Sequence, residues 1–400
     1  MLWTCLHIPD FSLQLLMRGT AAPGPLIVSS GGNRPIVLSC SNAACGFGIQ
    51  AGMKVSAAVA LAPQLTEHPR HPAAEHAALA GLANWAGQFS PVVSLNPPDA
   101  VLLDIEGSLR LFDGLRPLLL RLSAGLDEMG YAAAIATAPT PAAARLLARA
   151  GFASSVTRLD ALPAALAALP LTLLDQPADI AERLRTMGVH TIGECLRLPR
   201  EGLARRFGQH LLDELDRALG RLPDPRAPYQ APARYSARLV LPAPVHESEP
   251  LLFAARRLIV ELCGYLQMKQ AGITRLKLTL HHEERPDTVL RLAFSAPTRE
   301  CARIVRLLRE RLLRTELPAR VDAIRFDGEE LRPLAAQNLS LFPEDTPADE
   351  ERWSIIDHLR ARLGAQAVHG IVSYPDHRPE TAWRTCEPGT ASHRPAQAER

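Results

Sequence analysis

Four prolines crowd the residues from 223 to 232 and divide the chain into two regions, each of which alternates short apolar runs with helical stretches. Proline lacks a backbone N–H and restricts the residue before it, so a proline cluster interrupts regular structure. We therefore predict a linker over residues 223–235 and folded regions on either side of it. A chain of 400 residues is also too long for one ordinary core, which favours several packed units.

The region before the linker predicts a mixture of strands and helices. Short apolar runs bounded by Pro and Gly predict strands, and longer stretches with helical periodicity predict helices. The predicted strands are Leu2–Ile8, Leu26–Ser29, Ile36–Cys40, Val92–Leu95, Val101–Ile105 and Ala132–Thr137, and the predicted helices are Ala73–Gln88, Leu115–Met129 and Pro141–Ala150. Residues 1–155 are thus expected to form an α/β region, followed by a leucine-rich helical region over residues 156–222.

The region after the linker predicts a small α+β domain over residues 236–332. Its elements follow the order βαββαβ, which is the split βαβ arrangement. They are strand Ser236–Leu241, helix Glu249–Ala271, strands Thr274–His281 and Thr288–Ala293, helix Thr298–Thr315 and strand Arg320–Phe326. Residues 333–348 form a short polar region, and residues 349–400 predict one helix (Asp349–Leu363) and a disordered tail.

Composition excludes several classes of protein. No apolar run reaches the roughly 18–20 residues of a membrane-spanning helix, and the first residues lack the basic segment of a signal peptide. The 44 basic and 42 acidic side chains nearly cancel, so net charge does not identify a partner. The seven cysteines have no zinc-site spacing. We expect a cytoplasmic protein with reduced thiols and with neither a metal nor a cofactor.

The segment Gln337–Phe342 reads Gln-Asn-Leu-Ser-Leu-Phe and lies between two prolines after the folded domain. It resembles the bacterial peptide that binds the sliding clamp. An extended peptide can insert Leu339, Leu341 and Phe342 into an apolar pocket while Gln337 hydrogen-bonds at the rim and Ser340 lies between the leucines. The alternative is a segment that packs on its own domain. We prefer the clamp-binding interpretation.

The segment from Leu184 to Gly193 has the pattern of a helix-hairpin-helix, with Val189 and Ile192 as its apolar positions. Gly188 tolerates a positive φ at the helix end, and Gly193 would allow the next helix to approach a phosphate closely. Arg197 follows and would add electrostatic attraction. The alternative is a structural corner with solvated arginines.

This order of regions, with two local motifs, resembles the Y-family of translesion DNA polymerases over residues 1–342. The segment Phe47–Met53 resembles the family's Phe-Gly-Val-Lys-x-Gly-Met turn, and Asp99–Ile105 resembles its Asp-Glu-Ala-Tyr-Leu-Asp segment. The resemblance implies a right-hand α+β fold. Residues 1–155 would be the palm and fingers, residues 156–222 a thumb with the helical hairpin, and residues 236–332 a little finger. In such a domain Arg275, Lys277 and Arg291 would lie on the strands that face DNA.

The resemblance fails at the residues that a polymerase needs. Three carboxylates of this family hold two Mg²⁺ ions. Their positions fall on His7, Asp99 and Ala100, so one acid remains. The arginine and lysine that contact the triphosphate fall on Cys45 and Pro141. The pattern predicts a catalytically degenerate body. An alternative stays open, in which Asp10, Asp99 and Asp104 form the unusual metal set of an active low-fidelity polymerase.

An inactive Y-family body with a clamp-binding peptide is typical of the ImuB family. This resemblance implies a nucleoid-associated adaptor of error-prone translesion synthesis in the SOS response. Its partners would be primer-template DNA bound without sequence preference, the sliding clamp, a RecA-related protein like ImuA and an error-prone C-family polymerase. The segments Trp353–Gly364 and Asp376–Arg384 resemble the family's partner-binding tail. A third hypothesis is a helix-hairpin-helix protein with no link to replication.

One helix also carries a basic stripe, for which we prefer a solvated face over a DNA contact. Its members are Arg299, Arg303, Arg306, Arg309 and Arg314.

Overall fold

The computed structural model describes residues 1–20, 24–151, 155–283, 285–334, 353, 355–357, 359–360, 362–386 and 388. The chain forms two compact units, Met1–Ala233 and Arg234–Arg400. Among the residues described, none of the helices combines the length and the apolar character that crossing a membrane requires.

The first unit mixes short strands and helices before it becomes wholly helical. In chain order it contains β1 (Trp3–His7), α1 (Phe11–Met17), β2 (Leu26–Ser29), β3 (Val37–Cys40), α2 (Asn42–Cys45), α3 (Val55–Leu61), β4 (Thr66–Pro69), α4 (Pro72–Ala86), β5 (Val92–Asn96), β6 (Ala100–Asp104), α5 (Leu115–Glu128), β7 (Ala134–Ala138), α6 (Pro141–Arg149), α7 (Leu162–Ala167), α8 (Ala178–Thr186), α9 (Ile192–Leu196), α10 (Arg200–Phe207) and α11 (Gln209–Ala218). The predicted strands and long helices of this region are confirmed, with ends that differ by up to two residues.

The main sheet of this unit has the strand order β5-β6-β1-β7, and every neighbouring pair is antiparallel. All five side chains of β1 are buried, since helices and loops cover both faces of this central strand. Helix α6 packs on β1 and β7. It begins where Thr140 accepts a hydrogen bond from the N–H of Ala143 at 3.2 Å, with Pro141 at the first helical position. The helices α7–α11 share a core with this face of the sheet.

A second, three-stranded sheet has the order β3-β2-β4, with β2 antiparallel to β3 and parallel to β4. The Phe47–Met53 motif forms the turn beside it. Gly48 and Gly52 adopt φ values of 82° and 85°, which only glycine takes without strain. The N–H of Val37 donates to the carbonyl oxygen of Met53, and the N–H of Gly52 donates to the carbonyl oxygen of Val37, each at 2.8 Å. The strand β4 and the short helices α1–α3 were not predicted, because each is too short to show a period.

The segment between the units carries no helix or strand from residue 219 to residue 235. Its middle is nevertheless held to β5. The N–H of Tyr229 donates to the carbonyl oxygen of Val93 at 2.7 Å, and the Tyr229 hydroxyl donates to Asn84 at 3.1 Å. Arg226 donates to the side chain of Asn96 at 3.0 Å. These contacts fix residues 226–229 on the first unit.

The second unit confirms the predicted βαββαβ order. It contains β8 (Ser236–Val245), α12 (Ser248–Met268), β9 (Ala271–His282), β10 (Thr288–Thr298), α13 (Cys301–Leu313), β11 (Val321–Pro333), β12 (Gly370–Ser373) and β13 (Trp383–Cys386). Its main sheet is antiparallel with the order β10-β9-β11-β8. Leu276, Leu278 and Leu280 alternate along β9 and are buried beneath the helices, as a period of two requires.

Several elements of the second unit differ from the predictions. Helix α12 ends earlier than predicted because Gln270 adopts a φ of 49° and β9 begins directly after it. The β12–β13 hairpin was not predicted. Described residues between 353 and 363 are helical, in agreement with the predicted helix. The segment Gln337–Phe342, which is predicted to bind the clamp, lies outside the described residues, as do residues 387 and 389–400 of the predicted tail.

Candidate functional site

One end of the main sheet of the first unit brings together three of the five positions at which the sequence predicted a degenerate catalytic centre. The register pairs His7 of β1 with Ala100 of β6, and Ala100 with Asn96 of β5. Directly paired residues place their side chains on the same face of a sheet. Asp99 precedes this row, and its carbonyl oxygen accepts a hydrogen bond from the N–H of Ile8 at 2.9 Å. We call His7, Asp99 and Ala100 the sheet-end cluster.

The chemistry of the sheet-end cluster is that of one acid and one imidazole. His7 is 9% exposed, and its Nδ1 lies 3.5 Å from Oδ1 of Asp99. This nitrogen makes no hydrogen bond within the described part of the chain. Ala100 is completely buried and offers no ligand atom. Over the same residues no group of three or more His, Cys, Asp or Glu side chains is arranged to hold a metal ion.

The other acids considered for metal binding are Asp104 and Asp10. Asp104 pairs with Trp3 at the opposite end of β6, and its carboxylate accepts a hydrogen bond from the N–H of Glu106 at 3.3 Å. It lies four residue steps along the strand from Ala100, or about 13 Å, whereas the two metal ions of such sites lie about 3.5–4 Å apart. Asp10 is the N-cap residue of α1 at a φ of 48°, and its side chain makes no capping hydrogen bond.

The two positions expected to have lost triphosphate contacts are placed elsewhere. Cys45 ends α2 beside the three-stranded sheet. Pro141 begins α6 just beyond Ala138, which pairs with Trp3 at the end of β1 away from His7. The structure therefore joins His7, Asp99 and Ala100 in one place and does not bring Pro141 into that row.

The helical hairpin has the predicted form. Helix α8 ends before Gly188, which adopts a φ of 78°, and α9 starts at Ile192. Val189 and Ile192 are buried in the core of the first unit. Gly193 has a packing reason for its lack of a side chain, because a Cβ there would lie 2.8 Å from the carbonyl oxygen of Ala167 in α7.

Two backbone N–H groups of the hairpin already donate to a side chain. Oε2 of Glu194 accepts hydrogen bonds from the N–H groups of His190 and Thr191 at 2.7 and 3.0 Å, while the Thr191 hydroxyl accepts one from Glu194 at 3.2 Å. The backbone donors of His190 and Thr191 lower the pKa of the Glu194 carboxyl. This capping box places a negative charge where a phosphate would meet those two amides. The Thr-x-x-Glu spacing is the sequence signal that could have indicated it.

Three arginine side chains near the hairpin are exposed cationic groups. Arg197 is the C-cap residue of α9 and is exposed, as are Arg205 and Arg206 in α10. No ion pair of these three occurs among the described residues. Arg200, by contrast, forms an ion pair with Asp216.

A charged cleft of about 460 Å³ lies on the first unit, lined by residues of α6, α11 and the 224–226 segment. Its guanidinium groups are largely paired: Arg145 with Asp175, and Arg226 with Asp224 at 2.7 Å. Arg226 also links this cleft to Asn96 in the row of the sheet-end cluster. Sequence spacing could not indicate the cleft, because its residues come from segments about 80 positions apart.

The predicted DNA-contacting residues of the second unit lie on one face of its sheet. Arg291 pairs with Lys277 across β10 and β9, and Arg275 lies two positions along on the same face. This face also carries acids: Glu330 lies 3.5 Å from Arg275, and Glu329 lies 3.7 Å from Arg291. Lys277 has no ion pair within the described residues. We call Arg275, Lys277 and Arg291 the basic sheet face.

The basic stripe of α13 is not wholly solvated, contrary to the preferred interpretation. Arg303 is 7% exposed and donates to the carboxylate of Asp357, which is 4% exposed, with an Nε–Oδ2 distance of 3.0 Å. Asp357 also accepts the N–H of Ser295 at 2.8 Å. The partner lies 54 residues away, so the stripe itself gave no sign of it. This buried ion pair connects the helical residues near 357 to helix α13.

Comparisons with known proteins place these features in a family. The impB/mucB/samB family model matches residues 12–149. Protein ImuB from two strains of Caulobacter vibrioides is 30% identical over 336 residues, which cover 84% of this chain and 73% of the relative. DNA polymerase IV of Pelotomaculum thermopropionicum is 30% identical over 178 residues, 43% of this chain and 44% of that protein.

Solved structures of similar chains include the insertion ternary complex of Dbh DNA polymerase. It has 18% identity and a TM-score of 0.48, and it covers 82% of this chain and 98% of that chain. DinB from Sulfolobus solfataricus has 17% identity and a TM-score of 0.46 over the same shares. The predicted α+β multidomain fold of Y-family type is confirmed by the family model together with the sheet topologies. The identity and coverage shared with the Caulobacter proteins show that this chain belongs to the ImuB family of Y-family polymerase homologues.

Proposed function

We propose that this chain is a non-catalytic adaptor of error-prone translesion DNA synthesis. It would bind primer-template DNA without sequence preference, dock on the sliding clamp and recruit a second polymerase. The observation that carries the proposal is the sheet-end cluster, where a polymerase would need several carboxylates and this chain has one.

The cluster argues against nucleotidyl transfer on electrostatic grounds. Two Mg²⁺ ions need several hard oxygen ligands that neutralise their charge. His7 offers nitrogen, Ala100 offers nothing, and Asp104 is about 13 Å along the strand from Ala100. A single carboxylate at Asp99 cannot hold both ions. The position of Asp104 disfavours the alternative of an active polymerase that uses Asp10, Asp99 and Asp104.

Binding to DNA is supported by the basic sheet face and by Arg197 near the hairpin. Contacts to phosphate position a duplex without reading its sequence. The glutamates beside Arg275 and Arg291 reduce the attraction of this face, so Lys277 is expected to contribute most. At the hairpin the Glu194 carboxylate occupies two amides, so we assign its contribution to arginine side chains and not to backbone N–H groups.

Binding to the clamp is supported by sequence alone, since Gln337–Phe342 lies outside the described residues. Leu339, Leu341 and Phe342 are the anchors that would fill an apolar pocket, with Gln337 and Ser340 at its rim.

Recruitment of protein partners is supported by the apolar surface of the C-terminal segment. Ile371 and Trp383 are 73% and 51% exposed, and the register of the β12–β13 hairpin puts them on one face. Leu363 is also exposed nearby in sequence. A RecA-related protein like ImuA and an error-prone C-family polymerase are the partners that family membership suggests for this surface.

A bridging experiment tests the adaptor proposal. Primed DNA is immobilised, and retention of a purified bacterial sliding clamp is measured with and without this chain. We expect retention with the native chain and its loss with the Leu341→Ala, Phe342→Ala double variant, which should still bind DNA. Thr346→Ala, just beyond the motif, serves as the matched control. Clamp retention that is unchanged in the double variant would contradict the proposed docking segment.

A further inference from the structure

Two cysteines beside the three-stranded sheet are held in sulfur-to-sulfur contact. Cys40 is the last residue of β3 and Cys45 the last residue of α2, and their Sγ atoms lie 2.8 Å apart. That separation is within about 0.8 Å of the ~2.05 Å length of a disulfide bond. The pair therefore needs little movement to become bonded.

The backbone around the two thiols is well defined, which keeps them together. Ser41 is the N-cap residue of α2, and its hydroxyl accepts the N–H of Ala44 at 3.3 Å. The N–H of Cys45 donates to the carbonyl oxygen of Ser41 at 2.9 Å, and the N–H of Ser41 donates to Leu26 of β2 at 2.9 Å. The strand end and the one-turn helix are thus tied to each other and to the sheet.

Access distinguishes this pair from the other cysteines. Cys45 is exposed and Cys40 is half-buried. Cys5 and Cys195 are completely buried, and burial raises the pKa of Cys5 to about 12 and that of Cys195 to about 11. Cys263 and Cys301 form a second neighbouring pair, in which the hydrogen bond from Cys301 and burial hold the pKa of Cys263 far above its usual value. An oxidant in water reaches Cys45 first.

We infer that Cys40 and Cys45 form an oxidation site that hydrogen peroxide converts to a reversible disulfide. The Cys45 thiolate attacks a peroxide oxygen, the O–O bond breaks, hydroxide leaves, and the sulfur is oxidised to sulfenic acid. Cys40 then attacks that sulfur. The S–S bond forms, the S–O bond breaks, and the Cys40 proton leaves with the hydroxide as water. Per disulfide, one peroxide is reduced and two thiols are oxidised.

The surroundings of the two sulfurs determine which of them reacts first with peroxide. Burial and the adjacent Cys45 thiol raise the pKa of Cys40 to about 11, so Cys40 stays protonated and is the slower nucleophile toward free peroxide. Its place against Cys45 makes it the resolving thiol. The bond would join the end of β3 to α2 and thereby fix the start of the Phe47–Gly52 turn, where the Phe47 side chain is 44% exposed.

The test uses the full chain, reduced, freed of reductant and exposed to hydrogen peroxide before alkylation. No Lys or Arg lies between Arg34 and Lys54, so trypsin leaves both cysteines in one peptide. We expect that peptide to lose the mass of two hydrogen atoms and to resist alkylation until dithiothreitol is added. Full alkylation of both cysteines after peroxide, or a gain of oxygen without pairing, would overturn the inference.

Two variants separate the roles of the sulfurs. Cys40→Ser removes the resolving thiol, so Cys45 is expected to gain oxygen atoms instead of losing hydrogen. Cys301→Ser is the matched control, since it disrupts the other thiol pair and should leave the Cys40–Cys45 result unchanged. Loss of pairing in Cys301→Ser, or a cross-link that persists in Cys40→Ser, would contradict the assignment.

Discussion

The two four-stranded sheets of this chain carry their polar groups in opposite ways. At the end of the first sheet, His7 and Ala100 are buried and Asp99 is the single acid of the cluster. On the four-stranded sheet of the second unit, Arg275, Lys277 and Arg291 lie on a face whose charges remain in contact with solvent. A catalytic carboxylate at the end of the sheet of the first unit would have to lose its hydration, and a metal ion would have to neutralise its charge. The charged groups on the sheet of the second unit stay hydrated.

This contrast fits the proposal that the chain keeps a polymerase fold without polymerase chemistry. Replacing a buried carboxylate with alanine or histidine removes the desolvation cost of that anion and leaves the strand pairing intact. The register from Trp3 to His7 is complete on both sides. Exposed cations cost the fold little and can be retained for binding. Under the proposed function, the sheet of the first unit would serve as a scaffold and that of the second unit as the DNA-binding surface.

The largest predicted effect concerns the buried charge of the second unit. Asp357→Ala leaves the Arg303 guanidinium buried without its partner, which typically costs about 3–5 kcal/mol of unfolding free energy. Hydrogen exchange of the α13 and β10 amides, followed by mass spectrometry, measures that loss in the second unit alone. Asp99→Ala should change stability by less than about 1 kcal/mol, since Asp99 is partly exposed. Equal losses of unfolding free energy in Asp357→Ala and Asp99→Ala would contradict this difference between the two units.

The basic sheet face should dominate binding to DNA. A variant with Arg275, Lys277 and Arg291 all changed to alanine is expected to bind primer-template DNA more weakly by on the order of tenfold to a hundredfold at low salt. The slope of log affinity against log salt should fall by about 1 for each phosphate that the variant no longer neutralises. Fluorescence anisotropy across a salt series measures both. Arg256→Ala, on α12, is the control; a loss of affinity as large in that variant would show that the effect is not local.

How much of this could be read from the sequence depended on the range of the interactions. Short-range periodicity was enough for the βαββαβ order and for β1, and strand alignment put His7, Asp99 and Ala100 in one cluster. The buried Arg303–Asp357 pair joins positions 54 residues apart, and Arg226 reaches Asn96 across 130 residues, so no local pattern encoded them. The Glu194 cap was encoded locally in Thr-x-x-Glu, but the glycines of the hairpin favoured a phosphate site at the start of the next helix.

A smaller effect is expected at the hairpin itself. Thr191→Ala removes the hydroxyl that accepts the N–H of Glu194, and loss of such a cap typically costs about 1 kcal/mol. Urea unfolding of the first unit measures the change. Thr186→Ala is a suitable control, because that hydroxyl only donates back to a carbonyl of its own helix. DNA affinity should change little in either variant if arginine side chains make the contacts.

The smallest effect is a dependence on acid. Hydrogen bonds from Arg200 hold the pKa of Asp216 below its usual value. A lowered folded-state pKa gives stability that is present above the unfolded value near 3.9 and is lost as pH falls through the folded value. Since Arg200 is half exposed, the contribution should stay below about 1 kcal/mol. Asp216→Asn should reduce the acid dependence below about pH 4 in thermal unfolding. An acid dependence of stability that is unaltered in Asp216→Asn would show that other groups cause it.

Primer extension measures whether this chain has polymerase activity. The native chain and its Asp99→Ala variant are compared on a primed template with Mg²⁺ and separately with Mn²⁺, after DNA binding has been verified for both. We predict no nucleotide incorporation by either protein. Incorporation by the native chain that disappears in Asp99→Ala would contradict the adaptor account and identify the sheet-end cluster as a working metal site.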